Sequence, residues 1–193
     1  MKDKLIAYFG ALLPLSTTEK EAILEDMEVQ TYKKGTVLLR DGQIPSLNYF
    51  VLEGCVRKYK LVDGEERTLD FYTEEHWILS AQSGPVQTAS DHYLVCMEDC
   101  LLVIGDEERG NRLLQRFPKF QDISRMILEK QIMKQQQLAA SFIADTPEQR
   151  YLKLQEWRPD LSARVPQYQL ASYLGIKPES LSRIRKRIAT NKS

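Results

Sequence analysis

From Val165 to Ile188 the chain reads V-P-Q-Y-Q-L-A-S-Y-L-G-I-K-P-E-S-L-S-R-I-R-K-R-I, two short helical patterns about a tight turn, the second of them strongly basic. The first opens at Pro166 and sets Leu170, Ala171 and Leu174 on one face. Ala171 is small enough to let a second helix approach. Gly175 falls where the chain must reverse, a position that favours positive φ, and Ile176 fills the corner beneath it. The second helix begins at Pro178, a residue suited to a first helical position, and buries Leu181, Ile184 and Ile188. Its other face carries Lys177, Glu179, Ser180, Arg183, Lys186 and Arg187. This is the layout of a helix-turn-helix: guanidinium groups suit phosphates and guanine edges, a carboxylate accepts from cytosine, and a hydroxyl suits the backbone. The competing reading is an amphipathic terminal helix with a solvated basic face. The A-x-x-x-G-I turn ahead of it favours the first.

Charge is segregated along the chain. Residues 147–193 hold ten Lys or Arg against four Asp or Glu, whereas residues 1–146 hold 17 against 23, so a neutral total hides a basic tail on an acidic body. That is the footprint expected of nucleic-acid contact at one end. A membrane-surface role fits poorly, because the basic helix lacks large aromatics on its apolar side. There is no 18-residue apolar span, and the start, Met1 to Leu15, is short, mixed and amphipathic, so a cytoplasmic protein is expected. Cys55, Cys96 and Cys100 are odd in number and sit in apolar, strand-like contexts, which reads as buried thiols rather than a metal or redox centre.

The N-terminal body is rich in strand patterns. Leu15-Ser16-Thr17-Thr18-Glu19, followed by Ala22, Ile23 and Met27, predicts a short capped helix. Strand-length runs punctuated by turn residues follow: 29–32, 37–40, 47–52, 55–61, 67–72, 93–97 and 101–104. Short, regular strands with glycine turns predict an antiparallel sandwich or barrel of the jelly-roll kind, a double-stranded β-helix also seen in cupins. Tyr49, Val51 and Val56 to Tyr59 alternate like half-buried strands. From Asp106 the period becomes helical, and a long helix is predicted over 117–142. There Met126, Met133 and Ala140 recur every seven residues beside Ile123 and Ile127, a narrow seam that suits either a partner helix or the protein's own sheet. Thr146-Pro147-Glu148-Gln149 then starts a fresh helix, expected to bury Tyr151, Leu152, Leu154 and Trp157. The fold class is therefore α+β, with a barrel and flanking helices over 1–116, a long helix over 117–144 and a helix-turn-helix over 145–193.

A β-barrel, a long helix and a terminal helix-turn-helix in this order resemble the CRP/FNR family of transcription regulators. Leu15-Ser16, Lys34-Gly35-Thr36-Val37-Leu38, Gly42, the stretch Tyr49-Phe50-Val51-Leu52-Glu53-Gly54-Cys55-Val56-Arg57 and Ala171 to Arg183 carry the likeness, which spans nearly the whole chain. The resemblance implies a homodimer joined through the long helix, each recognition helix entering the major groove of a palindromic double-stranded DNA site. RNA polymerase is a further candidate partner. The family's R-E-T-x-x-R pattern is matched here by Pro178, Glu179, Ser180 and Arg183. Glu179 and Arg183 are the base-reading candidates and Ser180 a phosphate contact. Pro178 replaces the first arginine, so a guanine contact is lost or moved to Lys177. Gln167 and Tyr168 align with phosphate-contacting positions, and Arg185 and Lys186 add electrostatic affinity.

The effector cassette departs further from the family pattern. Ser80 stands where the family has a ribose-binding Glu and Gln87 where it has the phosphate-binding Arg. Loss of that arginine removes a bidentate donor to phosphate, so control by cyclic AMP is not expected. Ser80, Gln82, Gln87 and Thr88 remain candidate contacts for a small-molecule effector of unknown identity. No iron-sulfur cysteine cluster lies near the N-terminus, and His76 and His92 make poor haem or cupin-type metal ligands at sixteen residues apart. No metal, cofactor or catalytic residue is expected, Glu65-Glu66 and Glu74-Glu75 reading as solvent-facing turns. The alternative function is a cyclic-nucleotide-binding-like interaction or sensing module without specific DNA binding.

Overall fold

The computed structural model describes residues 2–79 and 88–190. Two helices, α1 (Asp3–Leu12) and α2 (Thr17–Asp26), precede eight strands: β1 (Glu28–Tyr32), β2 (Val37–Leu39), β3 (Leu47–Glu53), β4 (Val56–Val62), β5 (Glu65–Tyr72), β6 (Trp77–Ile78), β7 (Tyr93–Cys96) and β8 (Cys100–Asp106). Helices α3 (Glu107–Arg116), α4 (Lys119–Ala144), α5 (Pro147–Trp157), α6 (Leu161–Arg164), α7 (Gln167–Tyr173) and α8 (Pro178–Thr190) complete the chain. The α+β class holds. Contacts divide the chain into two compact units, one containing residues to Lys58 with Phe71–Ile132, the other Tyr59–Asp70 with Met133 onward.

The strands form two four-stranded sheets, ordered β1-β8-β3-β6 and β2-β7-β4-β5. Tyr49 pairs with Ile104 and Phe50 with Val103 in antiparallel register, and a bulge falls between Val51 and Glu53. Period-2 geometry sends neighbouring residues to opposite faces. Tyr49, Val51, Leu102 and Ile104 meet Leu39, Val56 and Leu94 between the sheets, while Phe50, Leu52 and Val103 turn outward onto Leu5, Phe9, Ile23, Ile123 and Ile127 of the helices. Central strand β3 is thus buried on both faces, not half-buried as its alternation suggested. Its run Tyr49 to Leu52 is continuously apolar, as a strand covered twice requires.

Local chemistry fixes the ends of these elements. The Ser16 hydroxyl accepts from the Glu19 amide at 3.3 Å and the Glu19 carboxylate accepts from the Ser16 amide at 2.7 Å, a complete capping box at α2. Gly54 sits at φ 107°, and a Cβ there would lie 2.6 Å from Cys100 Sγ, so no other residue fits this turn. All three cysteines are buried free thiols, as expected, and Cys100 Sγ donates to the carbonyl of Glu98 at 3.3 Å.

In the second unit, Thr146 and Gln149 form another capping box ahead of Pro147. Tyr151 and Leu154 of α5 are buried, but Leu152 and Trp157, expected in the core, are exposed at 45% and 55%. With positions 151 and 154 turned inward, residue 152 lies too far round a 3.6-residue helix to join them, and Trp157 is the last residue of α5. Lys153 Nζ instead sits 5.9 Å from the Trp157 ring centroid. The tip of the β4–β5 hairpin belongs here too: the Thr68 amide donates to Ser172 Oγ at 2.9 Å, and Lys134 Nζ lies 3.0 Å from the buried Asp70 carboxylate.

Candidate nucleic-acid interface and barrel cavity

Helices α6, α7 and α8 assemble around Leu161, Leu170, Ala171, Leu174, Leu181 and Ile184, all buried. The turn between α7 and α8 is a Schellman motif: the Ile176 amide donates to the Ala171 carbonyl at 3.0 Å and the Gly175 amide to the Ser172 carbonyl at 3.1 Å. Gly175 takes φ 68°, and a Cβ on it would meet Phe142 Cε1 at 2.9 Å. Arg150 holds the same corner, donating to the Leu174 carbonyl at 3.1 Å with its guanidinium 5.1 Å from the Phe142 centroid.

With Leu181 and Ile184 inward, the opposite side of α8 presents Glu179, Ser182, Arg183 and Lys186, all exposed. Among the described residues, Arg183, Arg185 and Lys186 have no side-chain hydrogen bond or ion pair. Arg185 is exposed on the flank and Lys177 at the helix start, where its carbonyl accepts from the Ser180 amide at 3.0 Å. Ser180 is half-buried, and Arg187 is ion-paired with Glu148 of α5, so these two stand back from the ridge. Ser182 was missed in the sequence, although the spacing that selects Glu179 and Lys186 also selects position 182. Gln167 and Tyr168 are exposed at the start of α7, and Gln169 Nε2 donates to Tyr168 Oη at 3.2 Å from a buried position.

Of the seam residues expected on the long helix, Met133 and Ala140 are exposed. Ile123 and Ile127 pack on the outer face of the sheet and Met126 is half-buried. A second exposed apolar line on α4 is Leu128, Ile132, Ala139 and Phe142 with Ile143, exposed at 48% for Leu128, 56% for Ile132 and 88% for Ile143. The spacing 128, 132, 135, 139, 142 alternates four and three, a coiled-coil seam with Gln135 at one position. Met133 and Ala140 are exposed on the side next to it.

Between the sheets lies a cavity of about 530 Å³. Leu38, Leu39, Leu47, Ile78, Leu79 and Leu94 supply apolar wall, while Tyr49, Tyr72, Lys58, Thr88 and His92 bring polar groups to it. Of the predicted effector contacts, Thr88 lines this cavity, and Ser80, Gln82 and Gln87 lie outside the described residues. Burial, with Tyr32 and Cys96 nearby, pushes the Tyr49 phenol up to about 12, so it stays protonated. His92 Nδ1 lies 3.0 Å from Asp91 Oδ1. Desolvation lowers the imidazole pKa against the pull of Asp91, and the Lys58 charge lowers it further. Lys58 escaped the sequence reading, yet it is two residues past the inward-facing Val56 on β4 and so turns the same way. Among the described residues no group of three metal-ligating side chains converges, and no helix is long and apolar enough to cross a membrane.

Residues 29–117 match the cyclic nucleotide-binding domain. Among curated proteins none matches the sequence. Solved structures with the same fold include FixK2 from Bradyrhizobium japonicum, at TM-score 0.71 and 15% identity over 86% of each chain. The c-di-GMP responsive global regulator CLP of Xanthomonas campestris superposes at 0.69, with 19% identity over 92% of this chain and 93% of CLP. A crp/fnr-family transcriptional regulator from Eubacterium rectale also gives 0.69, at 19% identity over 96% of this chain and 88% of its own. The chain has the fold of the CRP/FNR transcription regulators, built around a cyclic nucleotide-binding domain.

Proposed function

We propose that this protein is a transcription regulator that binds a palindromic DNA site as a homodimer. The observation that carries the reading is the α8 ridge: Glu179, Ser182, Arg183 and Lys186 stand exposed on one side of a helix whose other side is buried. Arg183 reads a guanine edge, Glu179 accepts from a cytosine amine, and Lys177, Arg185 and Lys186 with Gln167, Tyr168 and Ser180 engage the backbone. The two copies pair along the Leu128–Ile132–Ala139 stripe of α4, so that two recognition helices meet half-sites roughly one helical turn, about 34 Å, apart. A small molecule in the barrel cavity acts as effector. Cyclic AMP is not that molecule, since the segment 80–87, S-A-Q-S-G-P-V-Q, contains no cationic side chain to clamp a phosphate.

Selection of bound duplexes from a random pool tests this directly. A two-fold symmetric consensus whose retention weakens steeply with salt is expected. Recovery of asymmetric or unenriched sequences would overturn the reading in favour of an interaction module.

A further inference from the structure

We propose that Ser172 is a positioning residue that sets which half-site spacing the protein accepts. The proposal rests on the dimeric DNA-binding reading above and adds to it what fixes the reach of each α8. Strand β5 lies at an edge of its sheet, in the order β2-β7-β4-β5, and an edge strand presents backbone N–H and C=O groups that no further strand takes up. Ser172 of α7 answers two of them. Its hydroxyl accepts from the Thr68 amide at 2.9 Å and donates to the Glu66 carbonyl at 3.4 Å. Residues two apart on a strand aim these groups to one side, so one hydroxyl does here what a neighbouring strand would do.

The next residue of the same parity on β5 completes a strut. Asp70 is buried, and Lys134 Nζ of α4 donates to both of its carboxylate oxygens, at 3.2 and 3.0 Å. Tyr173, beside Ser172, is buried too, and burial, then the charge of Asp70, raises its phenol pKa and keeps that hydroxyl protonated. Thr68 and Asp70, two residues of one strand, thus tie α7 to α4. Both ties lie inside the compact unit formed by Tyr59–Asp70 with Met133 onward. Helix α7 packs in turn against α8, and α4 carries the exposed apolar line along which the copies pair. The strut therefore fixes how far, and at what angle, each recognition ridge stands from α4. One base pair added between half-sites turns the second by about 34° and moves it by about 3.4 Å. A rigid pair of readers rejects that change, and a loosened pair follows it.

The palindromic duplex enriched from a random pool, and versions of it with one central base pair inserted or removed, are titrated with the full chain to test this. The wild type is expected to favour the enriched spacing by about ten-fold or more. Ser172→Ala is expected to reduce that preference to about three-fold or less, while the penalty for a base change inside a half-site stays within about two-fold of wild type. Alanine preserves the helix at this position. Ser172→Thr, which keeps the hydroxyl, is expected to retain the spacing preference, and Lys134→Gln, which releases the other end of the strut, to lose it. Circular dichroism establishes that each variant is folded. An unchanged spacing preference in folded Ser172→Ala or Lys134→Gln protein would overturn the assignment, as would a Ser172→Ala protein that loses sequence and spacing preference alike. A wild type that binds a palindrome but tolerates the altered spacings would overturn it too, while leaving the regulator reading intact. A wild type that enriches no palindrome overturns both.

Discussion

Ile132→Gln on the α4 stripe is expected to weaken self-association by roughly 30-fold. Burying an isoleucine fully contributes about 1.5 to 3 kcal/mol, and Ile132 is still 56% exposed in the single chain, so about 1 kcal/mol per copy remains to be gained. A two-fold axis brings both copies into one contact and doubles this to about 2 kcal/mol, and 1.4 kcal/mol is a factor of ten. Glutamine keeps the helical propensity of the position. Met133→Gln is the matched control, because Met133 is 59% exposed but lies about 100° further round the helix. Sedimentation equilibrium gives the dimer constants, and far-UV circular dichroism checks that α4 stays helical. If Met133→Gln weakens the dimer as much as Ile132→Gln does, the seam is the Met126–Met133–Ala140 line, and the geometric argument fails.

Arg183→Ala should cost about 1 to 3 kcal/mol of specific DNA affinity and relax discrimination at one base pair; uniform weakening across sequences in a binding titration would make Arg183 a phosphate contact. Gly175→Ala should destabilise the helix-turn-helix by about 1 to 2 kcal/mol through its left-handed backbone alone, whereas Gly110→Ala, in open space on α3, should stabilise by about 0.5 to 1 kcal/mol; urea unfolding of both variants decides. The Lys153 ammonium at 2.7 Å, and then the Ser141 hydroxyl, hold the Asp145 carboxyl below the usual carboxylate range. Its contribution is therefore present above the unfolded value, near about 3.9, and is lost as pH falls through the lower folded value. Urea midpoints compared between pH 6 and pH 3 should fall less for Asp145→Asn than for the wild type.

Much of this architecture was legible because local signals and tertiary burial agree. Ser16–Glu19 and Thr146–Gln149 announce helix starts through two hydrogen bonds each, and Gly175 marks a reversal that few other residues permit. Where the reading missed, the cause was a question of which face a neighbour covers. The periodicity of α4 contains several seven-residue lines, and packing of Ile123 and Ile127 on the outer face of the sheet leaves both the Leu128–Ile132 line and Met133 exposed. Leu152 is apolar but lies off the Tyr151–Leu154 face, and Trp157 ends α5 with its ring beside Lys153. Lys58 looked like one more charge on an alternating strand until the inward placement of Val56 fixed the parity. Ser182, with no charge to draw notice, lies on the ridge by helical angle alone.

The hairpin segment Tyr59–Asp70 clusters with the C-terminal helices despite its place early in the chain, which governs how the protein can be recombined. A chimera that transplants only residues from Met133 onward leaves behind the Asp70 carboxylate beside Lys134 and the Thr68 amide that meets Ser172. The transplant must carry the hairpin as a second insert, and a protease cut ahead of α4 releases an incomplete fragment rather than a self-sufficient head.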